Sequence, residues 1–431
     1  MIELANYRDA VANGFVEADI TIHPNGSIEY DDSFQREVVQ PYLRSRVDDK
    51  IQSDAESYEN NFDVSDPEEQ ISAERSPEVV AFESAFLAEF GFSPEILSKV
   101  VDVFTEFAFR SGDAGGTIES LVFRQVLKNG VGLTEKQVEV FLDRFVLPIR
   151  SAWDKKLPKG CDANDVLPWR YFRGLSVLVR PFIEVCRAPR QFAVSAPHLH
   201  RWGRYLVESI SKGTLPEKLF QSTQMRSYLG SVANRKGHEF AVRVAEAMKK
   251  ILPNVRLEIN LTELGAPPDP DLGDIDVLAW DSTSGAVFLI ECKRLKPALT
   301  VRQVIQQLEE FRGDASNPED SLFKHQRRVE WLRSNPTEIE RISGIPVNEI
   351  RWVSLLVTSG RVPMAFIDAT NFSRSQVIRF QELDSRIPEL VSETAPADTL
   401  LTIENINGEG NATQDSPTSS LGLPGSADPV C

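Results

Sequence analysis

The chain has 431 residues, 41% of them hydrophobic, with 64 acidic against 47 basic side chains and a formal charge of −17. That length and apolar content predict more than one domain with sizeable cores. No apolar run reaches the ~18 residues of a membrane-spanning helix, the start lacks a basic-then-apolar leader, and four scattered cysteines fit neither a zinc spacing nor a disulfide framework. Membrane, collagenous and disulfide-scaffold classes are excluded, and a reducing cytoplasmic location is the expectation.

In chain order, residues 1–50 read as a small N-terminal region, with Pro24-Asn25-Gly26 as a turn between short strands. Residues 51–77 are acidic and polar and read as a linker. Residues 78–230 read as a mainly helical domain. Ser93-Pro94-Glu95 opens one helix, carrying Ile96, Val100, Val103, Phe104 and Phe107. Thr134 with Gln137 forms a capping-box pattern ahead of Phe141 and Phe145. A third helix near Pro197 carries Trp202, Tyr205, Leu206 and Ile210, and His198, His200 and Trp202 read as structural. Residues 231–387 change to a helix, then strands, helices and strands again. Residues 388–431 read as a disordered acidic tail. No G-x-x-x-x-G-K loop and no G-x-S-x-G elbow occurs, which argues against nucleotide hydrolysis and α/β-hydrolase chemistry.

The segment that carries chemistry is 273–293. Two β-type runs, GDIDVLAWD and AVFLIECK, flank the polar turn Ser282-Thr283-Ser284-Gly285. Pairing Asp281 with Ala286 sets Asp276 opposite Glu291. Side-chain alternation then puts Glu291, Lys293, Asp276 and Asp274 on one face, and Ile275, Val277, Phe288, Ile290 and Cys292 on the other. Facing carboxylates repel by roughly 1 kcal/mol in water, and by more in a half-buried site. An oxygen-seeking divalent cation reverses that sign. Mg²⁺ or Mn²⁺ held by Asp276, Glu291 and the backbone carbonyl of Cys292 suits phosphodiester hydrolysis, with Lys293 orienting water or stabilising charge. Asp274 is the fallback for Asp276.

Asp276 with Glu291-Cys292-Lys293 resembles the catalytic core of the PD-(D/E)XK, or restriction-endonuclease-like, nucleases, over about residues 235–370. The resemblance implies an α/β fold with a mixed central sheet flanked by helices. It also implies an auxiliary glutamate on the preceding helix, matched by Glu239 in Lys236-Gly237-His238-Glu239-Phe240, and a glutamine-plus-aromatic motif, matched by Gln307 with Phe311 in place of the usual tyrosine. The literal Pro-Asp dipeptides, at 268–269 and 270–271, lie ahead of the strand, so register rather than the dipeptide selects Asp276. The implied function is metal-dependent DNA cleavage in restriction, phage defence or DNA repair, with RNA as a further possible substrate.

Simpler readings stand beside these. Glu239 also fits a first-turn acid paired with Arg243, and the 276/291/293 set also fits a solvated edge hairpin. The helix over 319–333 presents Lys324, Arg327, Arg328 and Trp331, either as a phosphate-contacting face or as a solvated basic one. Residues 350–359 and 363–367 read as later strands. The alternative function is an inactive nuclease-fold module that binds nucleic acid or assembles with a protein partner through the helical region. The charge does not decide the matter. Residues 1–77 hold 18 acids and 6 bases, and 388–431 hold 7 acids and no base, so 78–387 carries about +2 and a DNA partner stays compatible.

Overall fold

The computed structural model describes residues 2–46, 76–110, 114–150, 161, 165, 174–268, 272–317, 319–369 and 372–392. All lie within one compact unit, 1–393. The expected linker, apart from 76–77, and the expected tail, apart from 388–392, fall outside the described residues.

The N-terminal region opens with α1 (Ile2–Ala12) and the antiparallel hairpin β1 (Ile20–Ile22) and β2 (Ile28–Tyr30). The hairpin closes at the predicted turn, where Gly26 takes φ 82° and the Asn25 side chain accepts the Ser27 amide. The helical turns around Gln35–Val39 were not read from the sequence, although Phe34, Val38 and Tyr42 recur at helical spacing. These residues pack with Ala298, Val304, Ile305 and Leu308 in one core cluster. The N-terminal segment therefore completes the core of the C-terminal region.

Next come α2 (Pro77–Phe90), α3 (Glu95–Arg110), β3 (Gly115–Glu119), α4 (Ser120–Gln125), α5 (Glu135–Phe145), β4 (Val146–Leu147), β5 (Phe182–Arg187), β6 (Arg190–Ser195) and α6 (Ala196–Ser211). Ser76 caps α2, and the Thr134–Gln137 capping box forms in both directions. Most described residues of this segment are helical, and within it β3-β6-β5-β4 also form a four-stranded sheet that the sequence reading did not include. Strands β5 and β6 each alternate buried and exposed residues over only six positions, joined through Ala188-Pro189, so their period-two signal is short. The core here is largely aromatic. Phe104, Phe123, Phe141, Phe145, Phe182 and Phe192 are buried against one another and against Trp202.

The last part comprises α7 (Thr223–Ile251), β7 (Asn254–Asn260), β8 (Asp274–Asp281), β9 (Ala286–Lys293), α8 (Val301–Glu310), α9 (Ser321–Ser334), α10 (Pro336–Ser343), β10 (Arg351–Thr358), β11 (Val377–Arg379) and α11 (Leu383–Ser392). The strands form a mixed five-stranded sheet in the order β11-β10-β9-β8-β7. β7, β8 and β9 run antiparallel in sequence, while β9, β10 and β11 run parallel. One face buries Phe240, Val244 and Met248 of α7 with Ile387 of α11. The other buries Val329 and Leu332 of α9 with Ile339 of α10. The β8–β9 pairing runs from Asp281↔Ala286 to Val277↔Ile290, the register expected from the turn. Gly285 (φ 71°) is required there, because a Cβ would meet the Glu349 carbonyl at 2.2 Å.

Three local expectations change. Ile275 packs with Leu278 and Trp280 rather than with Val277. Helix α7 starts at Thr223, capped by Ser222, rather than near Lys236, and runs continuously past residue 230. Residues 363–366 form a 3-10 turn beginning at Pro363 instead of a strand. Among the described residues, no helix is long and apolar enough to cross a membrane.

Candidate active site

Strand β8 loses both neighbours at Asp276. Its ladder with β9 stops at Val277↔Ile290, and its ladder with β7 skips the position facing Asp276, which is Glu258. Glu258 takes φ 47°, the only positive φ at a non-glycine among the described residues, and its side chain turns to His238 Nδ1 on α7 at 2.5 Å. With the strands parted, Asp276 Oδ2 accepts the Cys292 amide at 2.6 Å. Its Oδ1 carries no hydrogen bond among the described residues.

Glu291, next to that amide on β9, is 4% exposed. Its Oε1 accepts Lys293 Nζ at 2.8 Å and its Oε2 accepts Arg328 Nη1 from α9 at 2.7 Å. Arg328 Nε also donates to the Leu272 carbonyl at the entry to β8. His325, one turn earlier on α9, is buried with Nε2 2.9 Å from Ser354 Oγ on β10. Its Nδ1 lies 3.6 Å from Glu291 Oε2, beyond hydrogen-bond reach, and has no partner.

The two carboxylates experience opposite fields. Burial, and then the Glu291 charge, push Asp276 up to about 6 from its ordinary 3.8. Burial also pushes Glu291 up, but Lys293, His325 and Arg328 together outweigh it and hold Glu291 below the usual carboxylate range. Burial drives His325 down to about 4 despite Glu291, so the ring is neutral near pH 7 and the two fixed cations carry that stabilisation. Lys293 loses solvation, yet Glu291 keeps it protonated with its pKa raised. A lysine held protonated is suited to charge stabilisation rather than to proton abstraction, which narrows the role expected for it.

The remaining candidates fall around this centre. Glu239 lies well inside α7 rather than in a first turn. Lys236 at 2.9 Å holds it below the ordinary range, helped by Arg235 and by Arg294 beyond β9. Arg243, its expected partner, instead covers the Phe380 ring at 4.9 Å. Asp274 is exposed at the start of β8, opposite Asn260. Gln307 Nε2 donates to the Lys296 carbonyl at 2.5 Å, bracing the loop after β9, and its Oε1 is buried without a partner. Phe311 is core. Cys292 packs on the apolar face, where burial pushes its thiol up. Of the basic residues on α9, Lys324 pairs with Glu319 at 2.9 Å and Arg327 is half-buried. Arg328, expected beside them as a phosphate contact or on a solvated basic face, turns inward to Glu291.

His325, Ser354, Glu258 and the inward role of Arg328 escaped the sequence reading. One signal was available: His325 falls on the buried stripe Leu322, Val329 and Leu332 of α9, an unusual place for an imidazole.

The donor set fits Mg²⁺ or Mn²⁺. It offers two carboxylates and a backbone carbonyl, all hard oxygens, with one carboxylate oxygen free. Mg²⁺ commonly binds through one or two carboxylates, waters and substrate phosphates rather than a full protein cage. Among the described residues no cluster of three His, Cys, Asp or Glu forms such a cage.

Comparison with curated proteins and with solved structures returns no match. A family profile described as "Anti-phage protein Upx-like" matches residues 1–383. The chain therefore belongs to the Upx-like family of anti-phage proteins, and among the roles considered for it, phage defence is the one its family supports.

Proposed function

We propose that the protein is a PD-(D/E)XK-type nuclease that hydrolyses phosphodiester bonds of DNA with Mg²⁺ or Mn²⁺ and acts in this way against phage. The carrying observation is the pair of carboxylates on adjacent strands. Burial, and then repulsion from Glu291, raise Asp276 to about 6, and one of its oxygens is open. The architecture supports the same reading, with a mixed sheet covered by helices on both faces, Glu239 on the helix before it and Gln307 on the helix after β9.

Asp276, Glu291 and the Cys292 carbonyl would hold the ion, which supplies Lewis acidity and counter-charge to a bound phosphate. The chain's residues do the rest. Lys293, held protonated, donates to a non-bridging phosphate oxygen and stabilises charge as water attacks phosphorus and the bond to the leaving sugar oxygen breaks, the proton lost by the water passing through solvent to that leaving oxygen. Gln307 fixes the Lys296 carbonyl, and with it the exit of the strand that carries Glu291 and Lys293. Lys324 and Arg327 lie on α9 as phosphate contacts of the flanking DNA.

One observation favours a second reading, in which the fold binds nucleic acid or a protein partner without catalysis: both Glu291 oxygens already face cations. Incubating the full chain with plasmid, single-stranded DNA and RNA, with Mg²⁺, Mn²⁺ or chelator, separates the two. The nuclease reading expects ion-dependent cleavage of DNA that Asp276→Ala and Lys293→Ala abolish. Binding without cleavage, or cleavage unchanged in both variants, supports the other.

A further inference from the structure

Resting on the metal-site reading above, the question is what Arg328 does between the two carboxylate strands. Its guanidinium is anchored at both ends of a short span. Nε holds the Leu272 carbonyl just before β8, and Nη1 holds Glu291 Oε2 on β9. Between them it passes Gly273 (φ 60°), where a Cβ would meet Nη2 at 3.4 Å. The side chain is 13% exposed. The guanidinium thus lies between the start of β8 and Glu291, close to where a cation bridging Asp276 and Glu291 would sit.

The charges meeting here cancel: Asp276 and Glu291 against Lys293 and Arg328. A divalent ion added alone would leave a half-buried site with two excess positive charges, which is costly in low dielectric. A phosphodiester brings a negative charge and two non-bridging oxygens. A guanidinium pairs with phosphate as readily as with carboxylate. We propose that Arg328 is a resident counter-ion of Glu291 that a substrate phosphate draws away, so that the metal ion and DNA load together and the ion binds poorly by itself. Arg328 is then a positioning residue in the resting protein and a phosphate contact in the loaded one. Linkage requires that DNA tighten ion binding by the factor by which the ion tightens DNA binding.

The test is Mn²⁺ titration of the full chain by calorimetry, with and without a phosphorothioate duplex that resists cleavage, for the native protein, Arg328→Met and Glu291→Gln. The native protein is expected to bind Mn²⁺ weakly alone and about tenfold or more tightly with the duplex, within the usual range of site-to-site coupling. Arg328→Met is expected to bind Mn²⁺ about tenfold more tightly without DNA and to lose most of the gain from the duplex. Unchanged or weaker Mn²⁺ binding by Arg328→Met, while Glu291→Gln abolishes binding, overturns the role of Arg328 and leaves the nuclease reading standing. Binding in Glu291→Gln equal to the native protein in every arm overturns both. Should Arg328→Met fail to fold, Arg328→Gln, which keeps a donor for Leu272, takes its place. The rise in melting temperature on adding Mn²⁺ then provides the readout, expected to be larger in the variant than in the native protein.

Discussion

The aromatic region and the five-stranded sheet treat buried charge in opposite ways. In the aromatic region, Glu89 is fully enclosed. It accepts the amides of Gln221 and Ser222 and pairs with Arg144 at 2.7 Å, tying α2 to the start of α7. In the sheet, Asp276 keeps an open oxygen beside a second carboxylate, while on the helices that flank it His325 Nδ1 and Gln307 Oε1 are buried without hydrogen-bond partners. The contrast does not follow location. Asp320, at the head of α9, accepts five backbone amides, from Arg312, Gly313, Asp314, Leu322 and Phe323, and behaves like Glu89. A carboxylate that builds the fold is saturated by donors. Asp276 keeps a deficit that a ligand can fill, while its neighbour Glu291 is held by the side chains of Lys293 and Arg328.

The comparison can be broken most severely at Glu89. Removing it strands Arg144 and the amides of Gln221 and Ser222, and Glu89→Ala should cost about 3–5 kcal/mol in urea unfolding. A loss below ~1 kcal/mol would mean that the saturated network is not what joins these helices. Next, Glu291→Gln leaves Lys293 and Arg328 without their charge partner and should cost about 2–4 kcal/mol, less than Glu89 because Lys293 is partly exposed. An increase in stability would place Glu291 with Asp276 among the unsatisfied groups.

Asp276→Asn should go the other way. Its folded pKa, about 6, lies above the ordinary 3.8, so between these values the native state holds a proton that the unfolded chain has released. Stability therefore falls as pH rises through that window, and the deficit is fully present at pH 7.5. An amide keeps an acceptor for the Cys292 amide without the charge, and should gain up to about 3 kcal/mol at pH 7.5 and almost nothing at pH 3.5. A gain that does not depend on pH would show that packing, not charge, is responsible. Protons and the ion compete for Asp276, so Mn²⁺ binding should tighten as pH rises toward about 6 and level off above it. Mn²⁺ affinity that does not change across that range would separate Asp276 from the ion. The smallest effect tests the aromatic region alone: Thr134→Ala removes half of a formed capping box and should cost about 1 kcal/mol without changing ion binding.

How much of this the sequence contained depends on the range of the interaction. The hairpin was legible because strand alternation and a four-residue turn ending in Gly285 leave a single register that puts the charges on one face. The capping box at Thr134 was legible for the same reason, its partners being three residues apart. The length of helix α7 is not legible locally, because Gly230 and Gly237 weaken helix propensity while burial of Met225, Leu229 and Val232 sustains the helix through tertiary packing. The inward placement of Arg328 and His325 is hidden in the sequence for a related reason. Helical spacing gives their angle around α9 but not which side faces Glu291, 37 residues earlier in the chain. The skipped pairing at Glu258 left no local trace, since glutamate is not a residue that marks a positive φ.

The central claim is that Asp276 and Glu291 share one divalent cation. Crystals of the full chain grown with Mn²⁺ and an uncleavable duplex test it directly through the anomalous scattering of the metal. The account predicts a peak between the two carboxylates, about 2.0–2.3 Å from an oxygen of each, with Arg328 shifted from Glu291 to a phosphate. A duplex seated on the sheet region with no peak between Asp276 and Glu291, and Arg328 still on Glu291, would contradict it.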